Sequence, residues 1–191
     1  METVRRIVNA VHLDHPELFY VDFWHFQRTS SLLPMGALLE FRMMLDRESS
    51  AAIMRTMNAR AASVNEAVQK KQSQVERYFV IVKEIATTTK YENSGSALWD
   101  HTAAGPVLRH RAVCEGIAKL FLFLCQRAGL PCTIVVGTEN GIAHAWNMVE
   151  TEGGRRFVDV TATLQSISIY TLVPSALFRS ERALRGSGYD W

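Results

Sequence analysis

Three residues of this 191-residue chain, Cys114, His144 and Asp159, have the types that nucleophilic acyl transfer requires. A thiolate attacks, an imidazole exchanges the proton, and a carboxylate orients the imidazole and stabilises its cation. Cys114 opens the run CEGIAKLFLFLCQRA, which stops at Gly129 with Pro131 beyond, as a helix does. A sulfur in the first turn meets the positive end of the helix dipole and unpaired N–H groups, and both favour negative charge there. The Cys114 N–H is itself placed to donate to an oxyanion. Trp99 and His101, from the stretch 91–106, are candidates for a second donor and for substrate contact.

His144 and Asp159 fall in two strand-like runs, 143–150 and 155–162, joined by a turn sequence at 151–154. With those four residues as the loop, Glu150 faces Arg155, Trp146 faces Asp159 and His144 faces Thr161. His144 and Asp159 are then diagonal neighbours on one face, ~7–8 Å apart at the backbone and within reach of each other's side chains. A two-residue loop keeps this parity, whereas an odd-length loop breaks it. The same face carries Trp146, Met148 and Phe157, so it is expected to pack on the apolar helix and bring His144 to Cys114. Trp146 is then a packing residue or a wall of the acyl-donor cleft. Asn147 points the opposite way and is a poor third member of the triad.

The rest of the chain must frame these residues. Residues 11–26 crowd Phe19, Tyr20, Phe23, Trp24 and Phe26 into a segment expected to dock on the core. After Pro34 and Gly36, residues 37–45 are spaced as a half-exposed strand. Residues 46–67 form a helix with Ser49 and Ser50 near its start. A second helix begins at a capping box, Ser73 to Glu76, and buries Val75, Tyr78, Phe79, Val82, Ile85 and Ala86. Gly95, Gly105 and Pro106 make 91–106 a long loop. The helix 114–128 has almost no polar face and must be enclosed. The runs 132–137, 143–150 and 155–162 make an antiparallel meander. Helices first and strands afterwards give an α+β fold: one domain over 1–191, with 1–74 packing as a helical and aromatic segment on a core of about 75–162.

Composition narrows the function classes. The chain is 48% apolar and 21% charged with a formal charge of +2, so it has no electrostatic footprint for nucleic acid or an anionic membrane. No apolar stretch reaches the ~18 residues of a membrane span, and the N-terminus lacks the apolar run of a secretory signal, which makes the cytoplasm the expected location. Three cysteines do not make a disulfide framework. Cys114 and Cys125 share a helix face but lie ~16 Å apart along it, too far for a bond or a shared metal. No metal or organic cofactor is expected. Taken singly, Cys114 reads as a core residue, His144 as a satisfied buried polar group and Asp159 as a cap or a partner of Arg155 or Arg156; the combination of the three points to chemistry.

The strings GPVLRHRAVCEGIAKLFLFLCQRAGLPC, HAWNMV and RRFVDVT resemble, in order and spacing, the core of the transglutaminase-like superfamily over about residues 75–162. The DHPE segment at 14–17 is similar to the aromatic lead-in of small bacterial members. The resemblance implies a papain-like α+β fold and a Cys-His-Asp triad carried by Cys114, His144 and Asp159. It implies a thioester intermediate but several reactions, from cross-linking to proteolysis, amide hydrolysis and deamidation. Ala162-Thr163 departs from the Trp-Asp often found there, and no obvious calcium loop is present, which argues against calcium-dependent cross-linking. The expectation is a thiol protease, amidase or transglutaminase-like acyltransferase acting on a peptide or protein substrate. The alternative is a catalytically silent domain whose cleft binds a peptide or partner protein. The chain also reads as a module of a longer protein.

Overall fold

The computed structural model describes residues 2–29, 36–95, 97–165 and 174–191, and for 22–29, 36–39, 165 and 174–175 the backbone alone. Helix α1 (Glu2–Asp14) carries Val4, Ile7, Val8 and Val11 at helical spacing, yet buries none of its residues fully. A 3-10 turn at Pro16–Leu18 leads into Phe19, which is buried, and Tyr20, whose ring meets it edge-on at 5.4 Å. Strands β1 (Val21–Thr29) and β2 (Gly36–Met43) then pair antiparallel as a two-stranded ribbon. The expected docking of the aromatic segment is seen at Phe19 and Tyr20; the side chains of Phe23, Trp24 and Phe26 lie outside the described residues.

Helix α2 (Arg47–Val68) is capped by Asp46, whose Oδ1 accepts the Ser49 N–H at 2.7 Å. Ser49 is therefore the capped residue and not the cap, because only a side chain ahead of the first turn can reach back to its free N–H groups. Helix α3 (Gln74–Thr88) opens with the expected box: Ser73 Oγ accepts the Glu76 N–H and Glu76 Oε2 accepts the Ser73 N–H, both at 3.2 Å. Tyr78, Ile81, Val82 and Ile85 form its buried stripe. The Tyr78 hydroxyl donates to the Pro131 carbonyl at 2.6 Å and ties this helix to the sheet.

The stretch 91–106 is more ordered than a loop. Strand β3 (Lys90–Tyr91) pairs in parallel with β4 (Arg111–Ala112), and between them lie a 3-10 turn at Leu98–His101 and helix α4 (Ala104–Arg109). Pro106 falls in the first turn of α4, where its missing N–H costs nothing. Gly105 is required there by close approach, since a Cβ would lie 2.2 Å from the Trp99 carbonyl oxygen.

Helix α5 (Cys114–Arg127) is the centre of the core: every residue from Gly116 to Cys125 is buried. Each large apolar side chain there contributes ~1.5–3 kcal/mol by leaving water, which is what holds α2, α3 and the sheet around it. The helix stops at Gly129, whose φ of +69° suits glycine.

Strands β5 (Cys132–Glu139), β6 (Ile142–Thr151) and β7 (Gly154–Val158) form the expected antiparallel meander. They are followed by α6 (Val160–Gln165), α7 (Pro174–Leu177), α8 (Glu181–Arg185) and β8 (Tyr189–Asp190), and the last strand adds to β5 to give the order β7-β6-β5-β8. Glu150 faces Arg155 and Thr151 faces Gly154, so a two-residue turn keeps the predicted parity.

Two expectations about the sheet are corrected. The last strand does not run to residue 162: its ladder ends at Asn147 opposite Val158, because the Asp159 side chain turns back to accept the Ala162 N–H at 3.1 Å and caps α6. Thr161 therefore lies in a helix and not opposite His144. The packing face is also reversed. Helix α5 packs on the side of Ala145, Asn147 and Val149, where the small alanine admits it closely and Asn147 Nδ2 donates to the Ala118 carbonyl at 3.1 Å. The larger Trp146 and Phe157 point away from α5 and pack with Leu184 and Tyr189 of the C-terminal segment. No described helix is long and apolar enough to cross a membrane.

Candidate active site

Cys114 is the first residue of α5, half-buried, with Val113 as the cap residue before it. At this position its N–H has no acceptor within the helix. The turn at 98–101 is pressed onto the helix start. The Val113 N–H donates to the Asp100 carbonyl at 3.1 Å, and a Cβ on Gly116 would lie 2.3 Å from that same oxygen. Buried Asp100 is paired with Arg109 at 3.1 Å, which fixes the turn from behind. Cys-Glu-Gly is thus a structural statement as well as a chemical one: the glycine makes room for the backbone that seats the cysteine.

His144 stands near the start of β6 and Asp159 just past the end of β7. His144 Nε2 lies 2.7 Å from Asp159 Oδ2. That carboxylate is held by three donors: the His144 ring, the Tyr189 hydroxyl at 2.6 Å on the same oxygen, and the Ala162 N–H on the other. With Nε2 engaged, Nδ1 is the ring nitrogen left to serve Cys114, which lines the same cavity and lies close enough to raise the His144 pKa. Trp146 stacks on the imidazole at 5.8 Å and 25°, and Tyr189 meets it edge-on at 6.0 Å, so one side of the ring is closed to water.

The electrostatics follow from this geometry. Burial pulls the His144 pKa down, but the hydrogen bonds and charges of Asp159 and Cys114 outweigh it and carry the imidazole up to about 10. Burial likewise raises Asp159, yet His144, Tyr189 and the Ala162 N–H together hold its carboxyl below the ordinary value. The pair is therefore arranged as imidazolium beside carboxylate.

Cys114 and His144 share a cavity of about 450 Å³, walled by Leu13 and His12 of α1, Val136, Ala143 and His101. His101 is held by Glu115 Oε2 at 2.9 Å through Nδ1 and by the Gly95 carbonyl at 3.1 Å through Nε2. Buried Lys119 grips the other Glu115 oxygen at 2.6 Å. Burial opposes ionisation of Glu115, but Lys119 and His101 hold its pKa below the ordinary value.

Of the residues expected to touch substrate, His101 lines this cavity. Trp99 does not: its ring packs 6.5 Å from Phe19 against the core. Trp146 is 1% exposed and lies behind His144, where it supports the ring. Tyr189 has no counterpart in the sequence analysis, since nothing in its local pattern signals a partner thirty residues earlier at Asp159.

Glu139 Oε2 lies 3.9 Å from His144 Nε2, and Glu139, His144 and Asp159 bring possible ligand atoms within 4.8 Å of one another. His144 Nε2 and Asp159 Oδ2 are at hydrogen-bond distance from each other.

The family model of the transglutaminase-like superfamily matches residues 61–162. The chain belongs to that superfamily. The match begins within α2, ahead of the core start expected near residue 75, and ends just after the Asp159 cap. The mouse Kyphoscoliosis peptidase is 28% identical over 138 residues, covering 64% of this chain and 21% of its own length. The transglutaminase-like chain thus spans about a fifth of that relative. A solved structure of a TGase aligns with all of this chain and 54% of its own at 15% identity and a TM-score of 0.52, which shows the shared α+β fold. The periplasmic domain of TgpA from Pseudomonas aeruginosa aligns over 68% of this chain and 58% of its own, at 20% identity and a TM-score of 0.45.

Proposed function

We propose that this transglutaminase-like domain is a thiol-dependent acyl-transfer enzyme acting on peptide or glutamine-type amides, as a protease, an amidase or a transglutaminase-like acyltransferase. The observation that carries the proposal is the His144 ring, fixed by Asp159 at 2.7 Å on one nitrogen and lining one open cavity with Cys114, whose proximity helps to raise the imidazole pKa. The name of the mouse relative, a peptidase, supports the hydrolytic branch.

In this mechanism the Cys114 thiolate adds to the amide carbon, and the carbonyl oxygen becomes an oxyanion held by the Cys114 N–H at the positive end of α5. The C–N bond then breaks. The leaving amine takes its proton from His144 Nδ1, leaving a Cys114 thioester and a neutral imidazole. Water or an amine gives a proton to His144 as it attacks the thioester, the acyl group leaves, and the sulfur returns as thiolate beside imidazolium. Asp159 stays ionised throughout and orients the ring.

Alkylation with iodoacetamide, followed by mass spectrometry, tests this. Cys114 is expected to react faster than Cys125 and Cys132 at neutral pH, and to slow by about tenfold or more in His144→Ala. Equal labelling of the three thiols, or a Cys114 rate indifferent to His144, would leave a domain that binds peptides without cleaving them. Amine incorporation against hydrolysis on a glutamine-containing peptide pool then separates the reaction types.

A further inference from the structure

The C-terminal segment is built onto the site. Strand β8 pairs with β5 so that Tyr189 lies opposite Glu139, and Gly137 lets it pass: a Cβ there would lie 2.1 Å from the Asp190 carbonyl oxygen. Arg185 anchors the end of the chain, with its guanidinium 3.7 Å above the Trp191 ring and Nη1 2.9 Å from Asp190 Oδ1. Trp191 packs on Trp146 and Phe157, and Tyr189 meets Trp146 edge-on at 5.1 Å. Tyr189 is consequently buried and fixed in position, with its hydroxyl 2.6 Å from Asp159 Oδ2.

We infer that Tyr189 is a positioning residue of the acyl-transfer site, whose hydroxyl holds Asp159 in the orientation that aims His144 at Cys114. This rests on the acyl-transfer function proposed above. Without that donor Oδ2 is left to the mobile His144 ring alone and Oδ1 to one backbone N–H, so nothing fixed in the fold holds the oxygen that orients the imidazole. Around it stand His144 from β6, Glu139 from β5, Cys114 from α5, Tyr91 from β3 and, over the Tyr189 ring at 5.5 Å, Arg179. Burial, then the charge of Asp159, push the phenol above its ordinary value, so Tyr189 stays a donor wherever Asp159 is ionised. A phenol that donates to the ionised form favours that form, and removing it must make Asp159 easier to protonate.

The test is the pH profile of Cys114 alkylation by iodoacetamide in the full chain, from about pH 3 to 8. Tyr189→Phe keeps the ring and its packing and removes only the hydroxyl. Its acid limb is expected to move up by about one pH unit, with the rate on that limb falling about tenfold. Replacing Tyr189 with 3-fluorotyrosine, a stronger donor, is expected to move the limb the other way, and it serves should the phenylalanine variant fail to fold. Profiles that superimpose on the unmodified protein, with Asp159→Asn still suppressing Cys114, would overturn the role of Tyr189 alone. If Asp159→Asn also leaves Cys114 unchanged, the acyl-transfer function fails and the role of Tyr189 fails with it.

Discussion

Helix α5 carries a cysteine near each end, and the two have opposite surroundings. Cys114 begins the helix, half-exposed, close enough to His144 to raise its pKa and facing a cavity of about 450 Å³. Cys125 is fully buried in the main core, and burial, then its neighbour Cys132, push its thiol well above the ordinary range. The residue type is the same. What differs is the helix end, a charged partner and access to solvent, and these are the conditions that turn a small core residue into a nucleophile.

Substitutions can break this contrast from either side. The largest expected effect is His144→Ala, which should lower kcat/KM for amide cleavage or transfer by about 10³–10⁴-fold in a steady-state assay, while Cys125→Ala changes it by less than about twofold. Next is Phe121→Ala, which removes a buried ring stacked 6.3 Å from Tyr78. Urea unfolding should show a loss of about 3–5 kcal/mol, while Cys114 in the folded fraction alkylates at its usual rate. A smaller effect is expected of Gly116→Ala. The methyl has nowhere to go against the Asp100 carbonyl, so the turn at 98–101 must shift, costing about 1–3 kcal/mol and slowing Cys114 alkylation because the nucleophile moves with the helix start.

The Cys114 half of this contrast, with the site proposed around it, is more legible in the sequence than the frame, because it depends on short-range rules. A helix start places Cys114, and the parity of a tight turn places His144 and Asp159 on one side whether the loop has two residues or four. Which side of the sheet meets α5 is a different kind of question. Ala145 and Val149 are apolar on one face, Trp146 and Phe157 on the other, and alternation alone does not say which is covered by the helix. The answer depends on Leu184 and Tyr189, whose pairing with the sheet is remote in sequence. The strand's early end was hidden for a related reason: Asp159 serves His144 and caps α6 at once, and only the second role breaks the ladder. Helix α1 did leave a signal in Val4, Ile7, Val8 and Val11, but a helix with no buried residue reads like any polar leader.

The electrostatics of the pair predict how pH acts on the folded state. The His144 pKa is raised from 6.5 to about 10, so its contribution to stability is complete below about 6.5 and is lost as pH climbs through about 10. Asp159 is lowered from 3.8, so its contribution is present above that value and is lost as pH falls through the depressed pKa. Activity should follow the same window, with its alkaline limb set by loss of the imidazolium proton.

The direct measurement is an NMR titration of the His144 ring in the unmodified chain and in Cys114→Ala. If sulfur, imidazole and carboxylate form one unit, His144 stays protonated to near pH 10 and its titration moves markedly toward 6.5 once the sulfur is gone. A ring that titrates near 6.5 in both proteins would contradict that coupling.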